Sequence, residues 1–170
     1  MKPTIIQSTF SLEDRSNLLS IIPEMVHGQN EYESSLSRFA WSSESLNKIG
    51  ISLEPLAKKI FNSDTLKSTY SLYVKYVGNN ANLFKHIDSN ACTYTIDYCL
   101  RQKYPWDLWI ENTPYTLFSN ESLCYLGETQ EHWREKQSVP TENFVEMIFF
   151  HFVEPTHWYF TRENIPPQYT

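Results

Sequence analysis

The chain has 170 residues, of which 15% are aromatic and only 20% charged; this excludes a disordered chain or a solvated coiled coil and leaves enough length for one sizeable core. Fourteen basic against twenty acidic residues give a net charge of −6, which argues against a surface that tracks nucleic-acid phosphates. No run of about 18 apolar residues is present, so no membrane-spanning helix is expected.

Along the chain, Met1-Lys2-Pro3 leads into a polar stretch without an apolar signal core, so secretion is not expected. A helix is predicted from Ser11, which can cap with Asp14 three residues on; Leu12, Leu18, Leu19 and Ile22 follow at helical spacing, and Pro23 marks an end or a kink. Residues 28–52 are rich in Ser and Asn and read as irregular structure packed over something. Leu53–Phe61 reads as a second helix, with Leu53, Leu56, Ile60 and Phe61 on one face. After Ser68 the period changes from helical to alternating. Tyr70–Val77 is dense in aromatic and β-branched residues and stops at Gly78-Asn79-Asn80. Cys92–Leu100 alternates strictly, with Tyr94, Ile96, Tyr98 and Leu100 on one face and Thr93, Thr95, Asp97 and Cys99 on the other. Shorter strands are predicted at Leu108–Glu111, Tyr115–Phe118 and Ser122–Leu126. Phe144–Val153, apolar on both faces, reads as a buried central strand. The fold class is mainly β with N-terminal helices, as an antiparallel sandwich or barrel. One domain is expected: residues 1–67 as a helical or irregular lead-in, 68–154 as the strand-rich core and 155–170 as a tail.

Cys92, Cys99 and Cys124 form an odd set without a CxxC pair, which suits buried free thiols and a reducing, cytoplasmic setting. Only four glycines occur, and neither GxGxxG nor GxxxxGK[ST] is present, so the usual nucleotide cradles are absent.

The histidines point to chemistry. In an extended segment, His86 and Asp88 of His86-Ile87-Asp88 project to the same side. A second imidazole from another strand would complete two nitrogens and one carboxylate on one face of an ion, the arrangement of non-haem Fe(II) oxygenases, which leaves the opposite positions open. His132, just beyond Gly127, is the candidate.

Four pieces, in order, resemble the small 2-oxoglutarate- and Fe(II)-dependent oxygenases related to prolyl 4-hydroxylases. They are Tyr70–Val77 before His86-Ile87-Asp88, the strand Cys92–Leu100, Leu117–Gly127 leading into Glu131-His132-Trp133-Arg134, and the closing Phe149-Phe150-His151-Phe152-Val153. The resemblance covers residues 68–154. It implies a double-stranded β-helix, a cupin-like jelly-roll, with His86, Asp88 and His132 as iron ligands. It also implies an enzyme, a hydroxylating dioxygenase that uses Fe(II), 2-oxoglutarate and O2. In that family a basic residue on the last strand receives the far carboxylate of 2-oxoglutarate. Here the matching position is Glu142, and Phe144–Val153 contains no Arg or Lys. Arg134 is the first choice for this anchor, with His151 assisting, Arg101 as an alternative, and Tyr94 or Tyr73 as hydroxyl donors. The plain alternatives are a solvated turn arginine for Arg134 and a core histidine for His151.

Trp133 is a possible substrate contact, while Trp106, Trp109 and Trp158 are expected in core and rim. His27 and His157 read as packing or surface residues, Lys85 as pointing away from the metal, and Asp97 as either a partner behind the ligands or a strand-edge polar residue. The expected substrate is an amino-acid-like small molecule or a peptide side chain, with no nucleic acid and no membrane. Two other readings remain open at this level: a cupin-like metal enzyme that does not use 2-oxoglutarate, and a non-catalytic barrel that serves as a binding module. Oligomeric state is not legible in the sequence.

Overall fold

Tyr94, Ile96, Tyr98 and Leu100 turn one way and Asp97 and Cys99 the other, and this alternation divides the molecule into two cores. The computed structural model describes residues 1–26, 31–33, 37–136 and 142–169. In chain order the elements are β1 (Thr4–Ile6), α1 (Leu12–Val26), β2 (Glu31–Glu33), β3 (Arg38–Trp41), α2 (Glu44–Ser52), α3 (Glu54–Phe61), β4 (Lys67–Val77), β5 (Leu83–His86), β6 (Tyr94–Gln102), β7 (Leu108–Ile110), β8 (Thr113–Tyr115), β9 (Ser122–Tyr125), β10 (His132–Arg134), β11 (Phe144–Val153) and α4 (Trp158–Thr161). The strands form two antiparallel sheets: a seven-stranded sheet in the order β1-β9-β6-β11-β4-β3-β2 and a four-stranded sheet in the order β5-β10-β7-β8. The protein is thus mainly β, as the alternation predicts.

β11 lies between β6 and β4, which is why its sequence is apolar on both faces. Its Ile148, Phe150 and Phe152 face the helices and pack with Leu46 of α2, Ala57 of α3 and Leu18 and Ile22 of α1. Val145, Met147 and Phe149 face the small sheet and meet Leu108 and Ile110 of β7 and Tyr125 of β9. The large sheet is therefore covered by helices on one side and by the small sheet on the other. The functional cavity opens on the small-sheet side.

Residues 38–52 are not irregular. Arg38–Trp41 pairs with Tyr73–Tyr76 of β4, and Glu44–Ser52 is a helix capped by Ser43, whose hydroxyl accepts from the Leu46 amide at 3.1 Å. The Ser-rich stretch holds a helix cap rather than a loop. α1 also continues through Pro23 to Val26. A proline inside a helix removes one backbone hydrogen bond, and here the buried Leu18 and Ile22 hold the helix against the core. Residues before 68 also supply β1, β2 and β3 to the large sheet. Of Tyr115–Phe118 only Tyr115 is in a strand. No helix among the described residues is long and apolar enough to cross a membrane.

α2 seats against β4 through Gly50. A Cβ at this position would lie 2.5 Å from Ser71 Oγ and 2.8 Å from Ser68 Oγ. Gly50→Ala is expected to destabilise the fold by about 1–3 kcal/mol through overpacking, measured by urea unfolding.

Candidate metal centre and cavity

β5 and β10 are neighbours in the small sheet, and their register sets His86 directly opposite His132. The two rings stand 4.3 Å apart between centroids. Asp88 follows in the loop after β5, where its amide donates to the Gly127 carbonyl at 2.9 Å. That bond turns the carboxylate inward: Asp88 Oδ1 lies 3.6 Å from His86 Nε2 and 3.5 Å from His132 Nε2. One donor atom from each of the three residues falls within 4.8 Å of the others.

The imidazoles are oriented by the backbone. His86 Nδ1 sits 2.7 Å from the Phe84 carbonyl, and His132 Nδ1 sits 2.9 Å from the Gln130 carbonyl. A carbonyl only accepts, so each Nδ1 donates to the backbone and each ring turns its Nε2 toward Asp88. Burial pushes the Asp88 carboxyl up, but the contacts with His132 and His86 outweigh it and hold the group well below the usual carboxylate range. Burial likewise lowers His132, and Asp88 more than offsets it, so the net direction is upward. Two nitrogens and one carboxylate oxygen converging from one side fit a divalent first-row ion with open positions opposite.

The three residues stand at the mouth of a cavity of about 210 Å³ between the sheets. Leu72, Leu108 and Phe149 form apolar walls, and Arg38, Asp97 and Arg134 bring ionisable groups into the interior. Arg134 is only 3% exposed. Its Nη1 donates to the Trp106 carbonyl, and its guanidinium lies over the Trp106 ring with 5.0 Å to the centroid. Among the described residues no carboxylate makes an ion pair with it. A guanidinium buried in this way retains hydrogen-bond donors suited to an anion.

The other expected residues divide between the two faces. His151 lines the cavity, with its Nδ1 3.2 Å from the Tyr70 carbonyl, and burial pushes its pKa down, so it offers a neutral ring rather than a cation. Tyr94 lies on the helix side of the large sheet, with its ring 5.0 Å from that of Phe61; the odd-even pleat turns it away from the cavity. Tyr73 shares that side, under Trp41. Arg101 also faces outward and is held by the Glu146 carboxylate. Trp133 sits between His132 and Arg134 and so points to the opposite face of the small sheet, stacked on Trp109 at 5.8 Å. Lys85, as expected, points away from the cavity and pairs with Glu131. His157 caps α4 by accepting from the Tyr159 amide. His27 lies outside the described residues.

Two further residues, Arg38 and Tyr125, line the cavity. Arg38 lies in a Ser- and Asn-rich stretch that reads as irregular, although Arg38-Phe39-Ala40-Trp41 has a strand's alternation. In the sequence Tyr125 shows only as part of a strand, yet its hydroxyl donates to Asp97 Oδ2 at 3.2 Å.

Asp97 is fully enclosed, and burial pushes its carboxyl up to about 7, with Asp88 adding in the same direction against His132 and Arg134. The folded pKa therefore lies above the ordinary value near 3.9. Stability from the neutral acid is full below about pH 4 and is lost as pH rises toward and through about 7. In metal-free protein, Asp97→Asn is expected to gain stability over the wild type by roughly 2–4 kcal/mol at pH 8 and by little at pH 4, read from urea unfolding at both values.

No protein-family model matches the chain, and no curated protein matches it. Solved structures do share its fold. The non-heme alpha-ketoglutarate-dependent epimerase SnoN of nogalamycin biosynthesis aligns with a TM-score of 0.73 at 9% identity, over 91% of this chain and 78% of that one. HygX from Streptomyces hygroscopicus, solved with nickel, 2-oxoglutarate and hygromycin B, aligns with a TM-score of 0.68 at 10% identity, over 91% and 83%. A prolyl hydroxylase from Trichoplax adhaerens, solved with a peptide of the hypoxia inducible factor, aligns with a TM-score of 0.67 at 12% identity, over 96% and 87%. The fold is the one used by 2-oxoglutarate/Fe(II) oxygenases, prolyl hydroxylases among them, in keeping with the resemblance read from the motifs.

Proposed function

We propose that the chain is a 2-oxoglutarate- and Fe(II)-dependent dioxygenase built on a double-stranded β-helix, which hydroxylates an unactivated C–H bond of an amino-acid-like small molecule or a peptide side chain. One juxtaposition supports this above all: three convergent metal-binding side chains and a buried guanidinium open into the same cavity. A buried guanidinium without a carboxylate partner among the described residues, beside a metal-binding set, suits a dicarboxylate co-substrate that reaches from the ion to Arg134.

In this reading His86, Asp88 and His132 hold the iron, and Arg134 receives the far carboxylate of 2-oxoglutarate. Bound Fe(II) supplies the redox chemistry that couples decarboxylation of 2-oxoglutarate to succinate with insertion of one oxygen atom from O2 into the C–H bond. Leu72, Leu108 and Phe149 keep the interior dry, which strengthens the pairing of Arg134 with an anion. The half-buried His86 and the exposed Ile87 stand at the mouth, where a substrate side chain enters.

The test is aerobic incubation with Fe(II) and 2-oxoglutarate against a panel of amino acids and peptides, reading succinate and a mass gain of one oxygen. Succinate formation that stops with a chelator is the expected result. Absence of both succinate and metal-dependent 2-oxoglutarate binding would sink the proposal.

A further inference from the structure

Asp97 is a carboxyl group where a dianion is to be bound. The side chain is 3% exposed, lines the cavity with Arg134, and projects from β6 between the paired strands β9 and β11. Its two oxygens differ. Oδ2 accepts from the Tyr125 hydroxyl at 3.2 Å, whereas Oδ1 is buried and has no hydrogen-bond partner among the described residues. Asp88 from the loop after β5, His132 and Arg134 from β10, Tyr125 and Cys124 from β9, Tyr76 from β4 and Cys92 are the titratable groups around it.

A buried carboxyl oxygen left without a partner costs free energy, and an ionised one beside another anion costs more. 2-Oxoglutarate offers only acceptors, in two carboxylates and a ketone. Against such a ligand, an ionised Asp97 repels, while a neutral acid donates one strong hydrogen bond. The asymmetry of the two oxygens fits the neutral form: Tyr125 occupies the oxygen that acts as carbonyl, and the oxygen that holds the hydrogen is left for a ligand. The inward positions of β11, Val145, Met147, Phe149 and His151, add no cation to the cavity, so donors beyond the guanidinium groups of Arg134 and Arg38 must come from other strands.

Resting on the dioxygenase reading above, we infer that Asp97 is a co-substrate-binding residue that works as a neutral acid, its Oδ1–H donating to a carboxylate oxygen of the 2-oxoglutarate held by Arg134.

The experiment is anaerobic calorimetric titration of 2-oxoglutarate into the Mn(II)-loaded wild type, Asp97→Asn and Asp97→Ala, with Mn(II) titrated first into each. The Asn amide can both accept from Tyr125 and donate into the cavity, so its affinity for 2-oxoglutarate is expected to stay within about three-fold of the wild type. Asp97→Ala is expected to weaken binding by roughly ten-fold or more, with Mn(II) affinity retained. Tighter or unchanged binding in Asp97→Ala overturns the inference, because it marks a repelling or uninvolved carboxylate. Equal losses in Asn and Ala overturn it too. If the Ala variant does not fold, Asp97→Leu takes its place: the apolar side chain fills the volume but cannot donate, so it should weaken 2-oxoglutarate binding by roughly ten-fold or more, and wild-type affinity in Asp97→Leu overturns the inference. Failure of the wild type itself to bind 2-oxoglutarate is a different result, since it removes the dioxygenase reading before any variant is compared.

Discussion

Asp88→Ala is expected to abolish metal binding, and Gly127→Ala to weaken it by about 100-fold or more although Gly127 contributes no donor atom. Asp88 supplies the single carboxylate of the three-residue set, and without it two neutral imidazoles are left to hold a divalent ion. Gly127 acts through space. A Cβ there would overlap Asp88 Oδ2 and would stand 2.6 Å from both the Cys92 carbonyl oxygen and Thr95 Oγ1. The Asp88 carboxylate is the end of a side chain and turns away, while the contact with the Cys92 backbone oxygen pushes the Gly127 backbone, which accepts the Asp88 amide, out of place as well. Turning Asp88 out separates Oδ1 from both Nε2 atoms, and the loss of one ligand from a three-ligand site far exceeds the 10–100-fold typical of partners behind the ligands. Mn(II) titration monitored by calorimetry checks both variants. Circular dichroism and urea unfolding separate the effect from misfolding, since overpacking is expected to cost Gly127→Ala only about 1–3 kcal/mol. A folded Gly127→Ala with wild-type Mn(II) affinity would show that the Asp88 loop is not fixed by this contact.

The same contact marks the boundary of what the sequence makes legible. His86-Ile87-Asp88 and His132 stand out because an i, i+2 pair on an extended segment must point one way, and the register of β5 against β10 does bring the two histidines together. The two faces of β6 and the central place of β11 follow equally from pattern, because alternation and double-sided apolarity are local consequences of burial. Residues whose role depends on which sheet face they meet are harder to read. Tyr94 and Asp97 are separated by an odd number of positions, so only one of them can reach the cavity, and the sequence does not say which face is the inner one. The structure chooses Asp97. Trp133 fails for the same reason, since its neighbours His132 and Arg134 already occupy the inward positions. Arg38 was lost because the Ser- and Asn-rich segment around it mixes a short strand with a helix cap, each too brief to show its own period.

Arg134→Leu is expected to lose about 100-fold or more in 2-oxoglutarate affinity while keeping its metal affinity. The guanidinium offers a planar fork to a carboxylate, in a dry cavity where the exchange of water for an anion is favourable. In the resting protein the same group is a liability, because it is buried with the Trp106 carbonyl and ring as neighbours and with no carboxylate in ion-pair range among the described residues. Replacing a buried charge by an apolar side chain of similar volume is often neutral or stabilising. The variant should therefore unfold at the same temperature as the wild type or higher when no co-substrate is present. Saturating 2-oxoglutarate should raise the melting temperature of the Mn(II)-loaded wild type and leave that of Mn(II)-loaded Arg134→Leu unmoved, since a ligand stabilises only the state that binds it. Arg134→Lys keeps the charge but not the fork, so it should fall between the two. If Arg134→Leu retains the 2-oxoglutarate shift, the anchor is assigned to the wrong strand. Arg38, which enters the cavity from β3 beside the Tyr76 hydroxyl, is then the guanidinium to remove next.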